Sequence, residues 1–240
     1  MSSSSRPLPQ GISAISALDD PARRALYELI AGSAEPVGRD AAASALGFSR
    51  STTAFHLDRL ADAGLLSVEF RRISGKTGPG SGRPAKLYRR AASELSVSLP
   101  ARHYDLAGEL MAEAIGESGA SGEPVLETLA RVAARTGRAL GAEAGDLTSA
   151  LEQNGFEPRG DAAGIVLGNC PFHRLAERNT AVVCALNFEL LCGVAEGAGD
   201  DAHVIVADPD AGECCVRAIP TDQHTAAIEP PPKPAHETFS

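Results

Sequence analysis

Apolar residues recur along this chain with two different periods, and the changes of period mark its elements. From Ser13 to Ile30, the residues Leu18, Ala22, Ala25, Leu26, Leu29 and Ile30 share one helical face, with Asp19 or Asp20 near an N-terminal turn. Asp20-Pro21 is an alternative start, because proline is tolerated in the first helical turn. Gly32 ends this helix. A second helix is predicted over Gly38–Leu46, closed by Gly47. A third follows Phe48, with Ser49 or Ser51 as its cap, and runs to about Ala63 ahead of Gly64. Helical spacing then gives way to a β-branched and aromatic strand, Leu66–Ile73. A loop rich in Gly, Ser and Pro covers Ser74–Pro84, and a second strand covers Ala85–Arg90.

Beyond a linker at Ala91–Ser98, two amphipathic helices follow. Tyr104–Glu117 carries Leu106, Leu110, Met111 and Ile115. Pro124–Ala142 carries Val125, Leu126, Leu129, Val132, Ala133 and Leu140. The remainder mixes types: strands at Gly164–Leu167, His203–Ala207 and Cys214–Ile219, with a helix over Ala181–Ala195. The polar tail after Pro220 contains Pro230-Pro231-Pro232 and reads as disordered, as does Met1–Gly11.

Helix–helix–helix–hairpin is the order of a winged helix–turn–helix. The chain therefore reads as α+β, with a winged helix–turn–helix at 13–92, a helical linker or dimerisation connector at 93–145, and a C-terminal mixed α/β sensory domain at 146–220. Disordered ends are expected at 1–12 and 221–240.

Charge sharpens this division. The formal net charge is −9, which argues against nucleic-acid binding until it is split. Residues 1–97 hold thirteen Lys and Arg against nine Asp and Glu, whereas the rest holds nine against twenty-two. A local basic patch matters more for phosphate contact than the total. The Ser- and Pro-rich start lacks the apolar core of a signal peptide, and no run of about 18 consecutive apolar residues exists. A cytoplasmic location without membrane insertion is expected.

The sharpest stretch is Phe48–Leu66. Its inner face is expected to be Ala54, Leu57, Leu60 and Ala61. Its first turn holds Ser49, Arg50, Ser51 and Thr52. Short hydroxyls let a helix end approach the major groove, and the terminal amides with Arg50 can meet phosphates. Arg50, Thr52, His56 and Arg59 are expected to project towards base edges. The hairpin adds Arg71, Arg72, Lys76, Arg83, Lys86, Arg89 and Arg90, suited to flanking backbone or the minor groove. Double-stranded DNA is the expected partner. A homodimer is expected as well, because two-fold repetition extends a short contact over a palindrome. The helices at 104–117 and 124–142 are its expected joint.

This stretch resembles the ArsR-like and DeoR-like winged-helix regulators. The run from Ser51 to Leu66 looks like their recognition helix, and Gly82-Arg83-Pro84-Ala85-Lys86-Leu87-Tyr88 looks like the wing of a subgroup that includes repressors of iron–sulfur cluster assembly (SUF) operons.

Five cysteines, Cys170, Cys184, Cys192, Cys214 and Cys215, all lie in the acidic half. Their spacing is not the short pair of a zinc knuckle; it suits a site assembled from separate elements. Thiolates favour iron–sulfur clusters, zinc or copper(I). Buried cysteine is also an ordinary small hydrophobe, and Cys192, inside Leu190-Leu191-Cys192-Gly193, reads as core. The order Asn-Cys-Pro-Phe-His, Leu-Ala-Glu, Val-Cys-Ala-Leu and a distal Cys before Val-Arg-Ala is similar to the C-terminal domain of the cluster-assembly repressors. That resemblance implies an iron–sulfur cluster on Cys170, Cys184 and one of Cys214 or Cys215, with the neighbouring Cys, His173 or a nonprotein group as a fourth ligand. Zinc, a thiol switch or a small organic ligand are the alternatives. An enzyme is not expected: Cys170 and His173 could form a nucleophile–base pair, but no acid partner is evident, and the Gly-rich run at 75–82 lacks a P-loop ending.

Overall fold

The computed structural model describes residues 8–71, 84–92, 95–161, 163–208 and 213–223. It divides into two units, Met1–Val97 and Ser98–Ser240.

In the first unit, helix α1 (Leu8–Ala17) begins inside the segment read as disordered from sequence. Its Ala14 is fully buried against Leu26, Leu57 and Leu60, which explains why a stretch with few large apolar residues is ordered. The single helix predicted from Ser13 is interrupted, and α2 (Pro21–Ala31) starts at the alternative position. The Asp20 carboxylate accepts a hydrogen bond from the Arg23 amide at 2.9 Å, and Pro21 occupies the first turn, where no amide donor is needed. A two-residue strand β1 (Val37–Gly38) leads into α3 (Arg39–Leu46). Gly47 then takes φ +70°, a left-handed turn that a side chain resists, and sends the chain into α4 (Arg50–Asp62). Strands β2 (Leu66–Arg71) and β3 (Ala85–Arg90) pair antiparallel in the register Val68↔Tyr88, and β1 joins the far side of β3. The core collects Leu26, Ile30, Ala42, Leu57, Leu60, Leu65, Leu66 and Tyr88. This is the winged helix–turn–helix order expected, with the unit extending to Val97 rather than residue 92.

The second unit does not separate a helical connector from a sensory domain at residue 145. Helices α5 (Tyr104–Ser121) and α6 (Val125–Ala144) bury Leu110, Ala114, Leu129 and Val132 in the same core as Leu151, Phe156, Phe172, Val183, Leu190 and Val216. Two elements went unpredicted, the short α7 (Leu147–Gln153) and the strand β4 (Pro158–Asp161). Strands β5 (Gly164–Leu167), β6 (His203–Ala207) and β7 (Val216–Pro220) complete an antiparallel sheet ordered β4-β5-β7-β6.

Helix α8 (His173–Gly197) starts eight residues before the predicted Ala181 and kinks at Asn179, where φ and ψ are −137° and 42°. It crosses α6 through glycines on both helices. A Cβ on Gly137 would lie 2.0 Å from the Leu190 carbonyl oxygen, and one on Gly193 2.2 Å from that of Ala134. Only backbones without side chains can approach so closely. Among the described residues α8 alone is long and apolar enough to cross a membrane, but Val183, Leu186, Leu190, Leu191 and Val194 are buried in this core.

Candidate nucleic-acid interface and thiol cluster

Ser49 is the N-cap of α4. Its hydroxyl accepts from the Thr52 amide at 3.1 Å and meets the hydroxyls of Ser51 at 3.0 Å and Thr52 at 2.8 Å. Ser49, Arg50, Ser51, Thr52 and Arg59 are all exposed. Arg50 pairs with Asp40 of α3 at 3.0 Å. With both side chains more than half exposed, that pair is worth little and is readily exchanged for a phosphate.

The inner face differs from the prediction. Thr53, Leu57 and Leu60 are buried, whereas Ala54 and Ala61 are half-buried. The spacing i, i+4, i+7 decides this face, and a threonine takes a core position that hydrophobicity had given to alanine. His56 was expected to point outward. It is half-buried instead, and its Nδ1 is buried without a hydrogen-bond partner. The outward position belongs to Phe55, which sequence reasoning had not singled out.

The wing residues Arg72, Lys76 and Arg83 lie outside the described residues. Lys86 is already engaged: its Nζ is 2.5 Å from Asp58 Oδ1 on α4 and 5.3 Å from the centre of the Tyr88 ring. The buried Tyr88 hydroxyl donates to the same carboxylate oxygen at 2.7 Å. Partial burial pushes the Asp58 carboxyl up, but the hydrogen bonds from Lys86 and Tyr88 outweigh it and hold the group below its ordinary range. Burial and the Asp58 charge raise the Tyr88 phenol. This junction holds β3 against α4, with the Lys86 side chain still over one-third exposed. Arg71 pairs with Glu69 at 2.9 Å, and Arg89 and Arg90 are exposed.

In the second unit Cys170 follows β5, Cys184 lies on α8, and Cys214-Cys215 precede β7. These four thiols lie near enough to shift one another's titration: Cys170 with Cys214, Cys214 with Cys215, and Cys215 with Cys184. The neighbouring Cys214 thiol draws Cys170 down and Cys215 down to about 6, while those neighbours and burial hold Cys214 itself well above a free thiol. Burial, followed by neighbouring Cys215, pushes Cys184 up to about 12. Cys192 stands apart at the core's edge, raised to about 11 by burial and then by Glu189. All five are free thiols. Among the described residues no three His, Cys, Asp or Glu side chains are already arranged to hold a metal ion. His173 meets Glu177 at 3.5 Å.

Two asparagines shape this region and were missed. The Asn169 amide donates to the carbonyls of Ala101 at 3.0 Å and Gly155 at 2.6 Å, and its oxygen accepts from Arg102. Arg102 also donates to the Cys170 carbonyl at 3.3 Å, so the loop bearing Cys170 is pinned from both sides. Asn187, buried on α8, donates to Cys214 Sγ at 3.5 Å, while its own oxygen has no partner. The signal available was a lone amide in the apolar run Leu186-Asn187-Phe188.

Residues 18–69 match a family model described as a helix-turn-helix domain. No curated protein and no solved structure matches the chain. The family match, spanning α2 to β2, supports a DNA-binding transcriptional regulator, a class that is typically non-enzymatic.

Proposed function

We propose that this regulator acts in the cytoplasm as a homodimer and that the thiols of Cys170, Cys184, Cys214 and Cys215 form its sensory site, an iron–sulfur centre that controls operator binding as a repressor or activator. The observation that carries the sensory reading is that four cysteines from three separate places in the chain lie near enough to perturb one another while the fifth stays apart. An all-thiol donor set fits such a centre better than it fits hard cations. Cys170, Cys184 and one or both of Cys214 and Cys215 would hold it as thiolates. When bound, it supplies an oxygen-responsive redox centre. Ligation would fasten the end of β5 and the start of β7 to α8, which packs directly on α6.

Exposed Ile115 on α5 and exposed Val125 and Leu126 on α6 support the dimer reading, because they leave an apolar surface on the two helices expected to form the joint. Control of DNA binding from this site requires that the two states of the thiols differ in operator affinity.

Anaerobic purification followed by iron and sulfide assay and by DNA titration tests the proposal. Cys170→Ser and Cys184→Ser are expected to lose iron and the difference between the two states; Cys192→Ser should keep both. Full iron in the first two variants, or equal DNA affinity with and without iron, would overturn it. A second reading has its own support, since neighbouring thiols without a ready metal grouping suit a redox switch. Two of them would give up two protons and two electrons to peroxide and form a disulfide. Colourless protein without iron, with DNA binding that changes on peroxide treatment and recovers with dithiol, would establish that reading instead.

A further inference from the structure

Phe55 is 59% exposed. On α4 it stands opposite the buried stripe of Thr53, Leu57 and Leu60, at the centre of the face that also carries exposed Ser51 and Arg59 one turn to either side. Nothing in the core accounts for a large aromatic ring there. Its ring is held edge-on to His56, with centroids 5.4 Å apart at 65°, and His56 is half-buried, so the ring is braced rather than free to fold back. Exposed Ser51, Thr52 and Arg59 on this face suit phosphates and base edges, and with exposed Asp62 two turns along they leave no apolar surround for a protein partner.

We infer that Phe55 reads the 5-methyl group of a thymine in the major groove. The reading rests on α4 being the recognition helix. In that groove thymine alone presents a methyl, and a flat apolar side chain at the centre of the helix face is the complement it needs. Ser51, Thr52 and Arg59 would then supply polar contacts beside it, while Phe55 supplies discrimination of T·A from the other pairs. Removing one methyl from water is worth about a fourfold change in affinity.

The test begins with selection of binding sites from a randomised duplex library by the purified full-length protein. Each thymine of the recovered site is then replaced by deoxyuridine, which lacks the methyl, and affinity is measured at fixed salt for wild type, Phe55→Ala and Phe55→Leu. Wild type is expected to lose about fourfold at one thymine in each half-site. Phe55→Ala should bind the thymine and uracil duplexes equally, and Phe55→Leu should keep part of the difference. Circular dichroism of the variants should match wild type, because the ring lies outside the core. A site whose thymines are all replaceable without loss, or a Phe55→Ala protein with undiminished sensitivity to uracil, would overturn the inference. Failure of wild type to enrich any sequence would instead overturn the recognition-helix reading beneath it.

Discussion

Replacing Asp58 by Ala tests how the hairpin is held to the recognition helix. The buried Tyr88 hydroxyl loses its acceptor, and Lys86 loses its partner. A buried hydroxyl left without a partner costs about 1–3 kcal/mol. The Lys86 pair adds at most about 1 kcal/mol, because Asp58 and Lys86 are half and over one-third exposed, respectively, and solvent screens them. The sum is about 1–4 kcal/mol, which corresponds to roughly 5- to 700-fold faster opening where exchange follows the opening equilibrium. Hydrogen exchange resolved by peptide should therefore show faster exchange in α4 and β3 and none in α6 or α8. Sign and pH window follow from the lowered Asp58 carboxyl. Its contribution is fully present above the unfolded value of about 3.9 and is lost as pH falls through the lower folded value. The difference between wild type and Asp58→Ala should hold steady from about pH 5 to 8 and shrink below about pH 4. A change under about 0.5 kcal/mol at neutral pH, or one spread evenly over both units, would refute the reasoning.

Five further outcomes follow from the same geometry. Gly141→Ala would set a Cβ 2.1 Å from the Val194 carbonyl oxygen and should lower the stability of the second unit by about 3 kcal/mol in thermal unfolding. Gly108→Ala, on α5 with nothing near its Cβ, should instead raise stability by about 0.5–1 kcal/mol. Ser49→Ala removes the α4 cap and should cost about 1 kcal/mol, with Ser49→Asp restoring it, as read by exchange at the Thr52 amide. Arg50→Ala should leave unfolding within about 1 kcal/mol of wild type while weakening binding to a selected duplex by about 1–3 kcal/mol if it reaches a base edge; unchanged affinity at matched salt would remove Arg50 from the interface. Asn187→Leu replaces an amide with an unpartnered oxygen by an apolar group of similar size. It should be neutral or stabilising by about 1 kcal/mol, and a loss above about 2 kcal/mol would show that the fold itself needs the amide.

What could be read in the sequence divides by the range of the interaction. The Ser49 cap, the Gly47 and Gly64 breaks and the buried Leu57 and Leu60 all depend on neighbours within a turn or two, and each was legible. Thr53 was not, because residue type and helical spacing gave opposite answers and spacing won. Phe55 was not singled out, although its position on the wheel lies opposite Leu57 and Leu60. His56 then takes the half-buried flank that sequence had placed outside. The order in α1 depends on Ala14 meeting residues of α2 and α4, contacts that no local pattern carries.

The thiols lie at the far end of the same scale. Thirteen residues separate Cys170 from Cys184 and twenty-nine separate Cys184 from Cys214, so their meeting depends on how β5, α8 and β7 dock. That docking rests on features with little sequence signal of their own. The glycines at 137, 141, 193 and 197 let α6 and α8 touch backbone to backbone, and the Asn169 amide closes the Cys170 loop onto Ala101 and Gly155. A glycine in a helix reads as a weakness until its partner helix is known, and an asparagine before a cysteine reads as an ordinary turn. Helix α8 makes the limit plain. It carries Cys184 and Cys192 eight residues apart, yet Cys184 lies near enough to Cys215 for each to shift the other while Cys192 stays at the core's edge. Both sit in similar apolar runs, Val182-Val183-Cys184 and Leu190-Leu191-Cys192, so the difference arises from what each helix face meets. These thiols are brought together by the packing of the unit rather than by a contiguous motif.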